Sequence, residues 1–114
     1  MTGLTVVTRL TSDIAAGDQF GREQFELQLE LEDLTRAQLR QRGHDCRRRC
    51  DEQDISRQRR IDLALQVLLA FNQMPGVGPF EAEERFAAWC EGFGLAVDDV
   101  YRDLKQVLRR RAER

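Results

Sequence analysis

The sequence predicts an α+β fold: an N-terminal antiparallel β-hairpin followed by three to four helices, all in a single domain. Two observations predict this fold. Apolar and polar residues alternate strictly over residues 25–32, which is typical of a half-buried strand. From residue 61 onward the apolar spacing changes to that of helices. A chain of 114 residues is long enough to form one hydrophobic core.

The hairpin is predicted from two short segments. Residues 4–10 are rich in β-branched side chains and predict the first strand, and residues 12–21 contain the glycines and aspartates of a connecting loop. In the second strand, apolar positions alternate with glutamates and a glutamine: Phe25, Leu27, Leu29 and Leu31. Leucine, glutamate and glutamine also favour helices, but on a helix these four apolar residues would scatter over two faces. The alternation therefore favours a strand.

The middle of the chain predicts a short helix, an ambiguous segment and a buried helix. Thr35 and Gln38 fit a capping box, and Gly43 fits a helix stop, so we expect a helix over 35–42. Residues 44–60 have little apolar content and predict either a solvated helix or a mobile loop. Residues 61–73 are apolar on nearly every side and predict a central buried helix, which the 74–79 segment, with its two prolines, ends.

The last third predicts two amphipathic helices that form an αα unit. The first has apolar residues at helical spacing up to Phe93, and Gly92 and Gly94 are expected to break it. The second begins near Asp98 and Asp99, whose charges suit a helix N-terminus. We expect both helices to pack onto the 61–73 helix.

Charge is segregated along the chain. Residues 1–33, the acidic hairpin, contain seven acidic residues and two arginines, whereas residues 34–60 contain nine arginines, no lysine and four acidic residues. Residues 61–114 are the helical core. Such segregation indicates surfaces that meet a charged partner. The predicted partner-binding residues are Glu26, Glu30 and Glu32, together with Arg47, Arg48, Arg49, Arg57, Arg59 and Arg60.

These surfaces predict a small interaction or regulatory protein whose partner is a protein. Glutamates on a strand could imitate phosphates, as in inhibitors of the phage or mobile-element kind, an analogy of size and charge alone. The free edges of a two-stranded sheet also predict a homodimer. Nucleic acid is a further possible partner of the arginines, although no aromatic residue lies among them for base stacking. The arginines could equally form a solvated helix face.

One alternative is a helix-turn-helix DNA-binding regulator. Helices over 81–92 and 98–109, with Gly94 between them, have the spacing of such a unit. Tyr101, Arg102 and Lys105 would then face the DNA groove. Asp98 and Asp99 argue against this alternative, because carboxylates there would repel phosphates.

A second alternative is a zinc-dependent adaptor. His44, Cys46 and Cys50 lie close together in the sequence, and Cys90 brings the number of soft ligands to the four that structural zinc needs. The spacing matches none of the usual paired zinc motifs. Neighbouring arginines are expected to lower the thiol pKa, which would suit a redox role as much as a metal role.

Composition predicts neither catalysis nor membrane insertion. The single histidine and the two serines form no nucleophile motif, and the glycines at 76 and 78 lack the lysine of a phosphate loop. We therefore expect a non-enzyme that holds no cofactor. An odd number of cysteines, no apolar stretch of spanning length and no secretory signal predict a cytoplasmic protein without membrane contact.

Overall fold

The computed structural model describes residues 18–113, and these residues form helices and turns only. The helices are α1 (Asp18–Leu31), α2 (Arg36–Glu52), α3 (Arg57–Gln73), α4 (Pro79–Phe93) and α5 (Val97–Ala112). The predicted α+β class is therefore wrong for this part of the chain, which contains no strand. The predicted strand over 4–10 lies outside the described residues.

Residues 25–31 belong to α1 rather than to a β-strand. The side chains that α1 buries are spaced as on a helix: Gln24 and Leu31 are buried, while Leu27 packs at the core's edge. Phe25 and Leu29 are 60% and 53% exposed, so half of the alternating apolar set never reaches the core. Leucine and glutamate favour a helix here, and packing of α1 against α3 stabilises it. The expected loop over 12–21 is wrong at its end, because α1 begins at Asp18. Because residues 25–31 form a helix, the argument for a homodimer from free strand edges no longer applies.

The start of α2 confirms the predicted capping box. The Thr35 hydroxyl accepts a hydrogen bond from the Gln38 backbone N–H at 3.2 Å, and the Gln38 side-chain oxygen accepts one from the Thr35 N–H at 2.8 Å. Two backbone donors at the helix start are thereby satisfied.

Replacing Thr35 with alanine should lower the free energy of unfolding by about 1 kcal/mol, because the Gln38 N–H loses its acceptor. Urea denaturation followed by circular dichroism measures this change. Thr35→Ser keeps the hydroxyl and serves as the control. Equal stability of the alanine and serine variants would contradict a stabilising role for the cap.

Gly43 and Gly92 mark a close crossing of α2 and α4, where neither residue ends a helix. A Cβ at Gly43 would overlap the carbonyl oxygen of Trp89, and a Cβ at Gly92 would overlap that of Arg40. The predicted stop at Gly43 is wrong, since α2 continues to Glu52, and so is the predicted break at Gly92, which lies within α4. Absent side chains allow the two backbones to touch. Residues 44–52 are thus helical, and the α2–α4 contact is the most extensive between any two described helices.

The central helix and the two C-terminal helices are confirmed. α3 contains residues with no exposed surface, such as Leu68 and Phe71, and it contacts α1, α4 and α5. α4 ends at Gly94, whose φ of 76° is left-handed and suits glycine. α4 and α5 both pack on α3, as the sequence predicts. No helix of residues 18–113 combines the length and the apolar character needed to cross a membrane.

Candidate functional site in the groove between α2 and α3

Most arginines of residues 34–60 join helices to one another. Arg36 and Arg40 of α2 bind Glu84 and Glu91 of α4 at 2.6 and 3.1 Å. The remaining pairs are Arg42–Glu30 at 2.8 Å, Arg57–Asp99 at 3.3 Å, Arg60–Asp51 at 2.7 Å and, within α2, Arg48–Asp45 at 3.9 Å. Exposed pairs of this kind each contribute about 0–1 kcal/mol. Six of the nine arginines are therefore partnered within the chain, and the predicted partner residues Arg48, Arg57 and Arg60 are among them.

Three arginines form no ion pair with any described residue: Arg47, Arg49 and Arg59. Arg47 lies over the turn between α4 and α5, where a Cβ on Gly94 would come within 2.7 Å of its Nη1 atom. Arg49 and Arg59 lie elsewhere, and both line the same groove. The structure thus brings together two of the predicted arginines and separates the third from them.

The groove lies between the C-terminal half of α2 and the N-terminal half of α3 and has a volume of about 560 Å³. Its floor is formed by the less exposed side chains, Cys46, Cys50, Ile55 and Leu63. Its rim is polar and is formed by Arg49, Gln53, Arg59, Asp62 and Gln66. α1 meets the groove at Gln66, whose carbonyl oxygen accepts a hydrogen bond from the Gln24 side chain at 3.2 Å. An apolar floor with a charged rim is the usual composition of a binding site.

The two cysteines of the groove lie one turn apart on α2. Cys46 is half-buried and Cys50 is buried. Burial, and then the neighbouring Cys50, raise the pKa of Cys46, and the opposing effect of Arg49 is smaller. Arg49 therefore acts in the predicted direction, but burial outweighs it and the net shift of the Cys46 pKa is upward. Cys90 lies in the core, where burial raises its pKa to about 12.

The described structure does not bring the predicted zinc ligands together as a set of three or more. His44 is exposed, and it is not among the residues that line the groove containing Cys46 and Cys50. Among the described residues, no group of three or more histidines, cysteines, aspartates or glutamates is arranged to hold a metal ion. Cys90 does not line the groove that contains Cys46 and Cys50. This geometry gives the zinc-dependent adaptor no support.

The glutamates of α1 do not form the row that mimicry of phosphates requires. Glu26 and Glu30 lie one helical turn apart, and Glu30 is already paired with Arg42. Glu32 lies in the turn that follows α1, and its backbone carbonyl oxygen accepts a hydrogen bond from the Arg85 side chain at 3.0 Å. The strand geometry behind the mimicry interpretation is thus replaced by a helix that carries Glu26 and Glu30, with Glu32 outside it.

The proposed DNA-facing residues of α5 do not share one free surface. Tyr101 is half-buried against the core, and burial, with a smaller effect from Glu83, raises its pKa to about 12. Arg102 lies 3.6 Å from Asp99, which also binds Arg57, and Lys105 is exposed. The first turn of α5 is therefore anchored to α3 and carries two aspartates, an arrangement that disfavours contact with phosphates.

Sequence reasoning missed five residues that line the groove: Gln53, Ile55, Asp62, Leu63 and Gln66. A continued helix through residue 52 would have placed Cys46, Arg49, Cys50 and Gln53 on adjoining positions of one side. The i, i+4 spacing of the two cysteines indicated such a face, but the assumed stop at Gly43 left residues 44–60 as either a helix or a loop. No protein-family model, curated protein or solved structure matches the chain significantly.

Proposed function

We propose that the protein is a small non-enzymatic interaction module that binds an acidic segment of a partner protein in the groove between α2 and α3. One observation carries this proposal. Arg49 and Arg59 face an apolar groove and have no ion pair among the described residues, whereas most neighbouring arginines are paired. Guanidinium groups bind carboxylates through paired hydrogen bonds, which favours an acidic partner.

The balance of charge on the rim supports the same partner. Asp62 is the rim's carboxylate, and its Oδ1 atom accepts a hydrogen bond from Gln58 at 3.2 Å. Two guanidinium groups against one carboxylate leave the described rim positive. The apolar floor suits a segment in which acidic residues alternate with apolar ones, since each kind of side chain then meets its complement.

The chemistry of the groove favours binding over catalysis. The described lining of the groove contains no histidine and a single carboxylate, and its thiols have no base beside them. A nucleophile needs an adjacent base or a lowered pKa, and burial raises the pKa of Cys46 instead. This is the physical argument for a binding protein.

Fluorescence anisotropy tests the proposal with a labelled peptide in which glutamates alternate with leucines, and with its glutamine counterpart. We expect the protein to bind the glutamate peptide more tightly, and to lose about tenfold in affinity when Arg49 and Arg59 are both replaced by glutamine. Added salt should weaken the binding because the rim is exposed.

The matched control is the Arg36→Gln and Arg40→Gln double variant, which removes the same charge from arginines paired with α4. It should bind the glutamate peptide as the unmodified protein does. Equal affinity for the two peptides, or equal losses in the two double variants, would contradict the proposal. Preference for duplex DNA, with Arg102 and Lys105 required, would support the DNA-binding regulator in its place.

A further inference from the structure

Cys46 and Cys50 form a pair of thiols at the bottom of a groove that solvent can enter. They lie one turn apart on α2, and both line the groove. Residues four apart on a helix have Cβ atoms about 5–6 Å apart, so rotation of the two side chains can set the distance between the sulfur atoms. The distance between the two sulfur atoms can therefore change, and solvent can reach the pair through the groove.

We propose that Cys46 and Cys50 bind one soft monovalent cation, Cu(I) or its analogue Ag(I), as a two-coordinate bis-thiolate complex. Thiolates select soft cations. Zinc needs four ligands, and the described residues offer no third ligand beside this pair. A metal–thiolate bond of about 2.3 Å requires the sulfurs to lie within roughly 5 Å of each other in a linear complex, a separation that an i, i+4 pair can reach.

The charge of the complex fits its surroundings. Each thiol releases its proton to solvent as its sulfur binds the cation, so two thiolates and one monovalent cation carry a single negative charge. Arg49 lies on the same groove, acts electrostatically on Cys46 and has no ion pair among the described residues. Its guanidinium group compensates the charge of the complex. Gln53 and Gln66 line the same groove, and their side-chain amides are hydrogen-bond donors.

This inference does not depend on the proposed binding of an acidic segment, because the cation is measured without any partner. The experiment adds Ag(I) to the reduced, full-length protein in chloride-free buffer. Native mass spectrometry then counts the bound ions, and a thermal shift reports binding to the folded state. We expect one ion per chain and a raised melting temperature. Competition with a chromophoric Cu(I) chelator under anaerobic conditions gives the affinity for Cu(I).

Single alanine variants locate the ion. Cys46→Ala and Cys50→Ala should each lower the affinity by roughly 100-fold or more, since loss of a group that merely supports a ligand already lowers it 10- to 100-fold. Cys90→Ala is the matched control, because that residue does not line the groove, and it should keep one ion per chain. X-ray absorption of the Cu(I) form should show two sulfur neighbours. Absence of a bound ion, or loss of the ion in the Cys90 variant alone, would overturn the inference.

Discussion

Replacing Gly43 with alanine should destabilise the protein by about 3 kcal/mol, at the upper end of overpacking effects. The new methyl group would overlap the carbonyl oxygen of Trp89 and would lie 2.9 Å from the Phe93 backbone nitrogen. Backbone atoms of α4 cannot rotate away as a flexible side chain can. The helices α2 and α4 must therefore separate, which opens the most extensive helix contact of the described fold.

The sign of this effect is diagnostic. In the middle of a helix, glycine is about 1 kcal/mol less favourable than alanine, so local propensity alone predicts that Gly43→Ala stabilises α2. The close crossing of α2 and α4 predicts instead that Gly43→Ala destabilises the protein. Gly92→Ala should behave likewise, since its methyl group would overlap the Arg40 carbonyl oxygen and lie 2.8 Å from the His44 nitrogen.

Thermal unfolding measured by calorimetry separates the two explanations. For a chain of this length, a loss of about 3 kcal/mol should lower Tm by roughly 10 °C. Gly78→Ala is the matched control, because a Cβ there meets nothing within 4 Å. Its Tm should change by only a few degrees, as its loss at the N-cap and its gain in backbone rigidity oppose each other. A Gly43→Ala variant as stable as the control would show that the helices do not touch there.

Signals contained within a few neighbouring residues predicted several helix ends. The Thr35–Gln38 capping box starts α2 and Gly94 ends α4, and each of these signals acts through bonds or dihedral angles within one turn. Gly43 carries no such local distinction. The sequence does not distinguish a glycine that ends a helix from a glycine that allows another helix to approach. Only the residue that contacts the glycine in the fold, here Trp89, distinguishes the two cases.

The candidate site was predicted only in part, again because the contacts that define it join residues far apart in the sequence. The arginine-rich stretch indicated a charged surface, but the glutamates that pair with it lie far along the chain, as with Arg36 and Glu84, which are 48 residues apart. Sequence order could not show which guanidinium groups remain unpaired. The placement of Cys46 and Cys50 on one side of a helix, in contrast, follows from helical spacing alone, and both residues line the groove from α2.

The error at residues 25–32 has another physical origin. The alternation was taken to mean that all four apolar residues reach the core, but apolar residues also occur on protein surfaces. On α1, residues 24, 27 and 31 recur every three to four positions and face inward, while Phe25 and Leu29 remain outside. The buried Gln24 strengthens the helical assignment, because on a strand it would lie on the opposite face from Leu31, which is also buried.

Replacing Leu31 with alanine should therefore destabilise the protein by about 3 kcal/mol, whereas Leu29→Ala should change stability by about 0.5 kcal/mol at most. Leu31 is 2% exposed within the core cluster, so truncation leaves a cavity, and Leu29 is 53% exposed, so truncation removes atoms that mostly face water. The two variants delete the same atoms two residues apart. A strand would place both leucines on one face, and the two losses would then be similar.

Chemical denaturation of the two variants measures this difference directly, because equal slopes with denaturant allow their midpoints to be compared. A large loss of stability for Leu31→Ala, with almost none for Leu29→Ala, requires that buried positions recur at a spacing longer than two residues. A helix has such a spacing. Equal losses of stability would support a strand over these residues and would contradict the helix α1. Since Glu30 reaches Arg42 and Gln24 reaches Gln66 from α1, such a result would also remove both contacts through which α1 meets α2 and the groove.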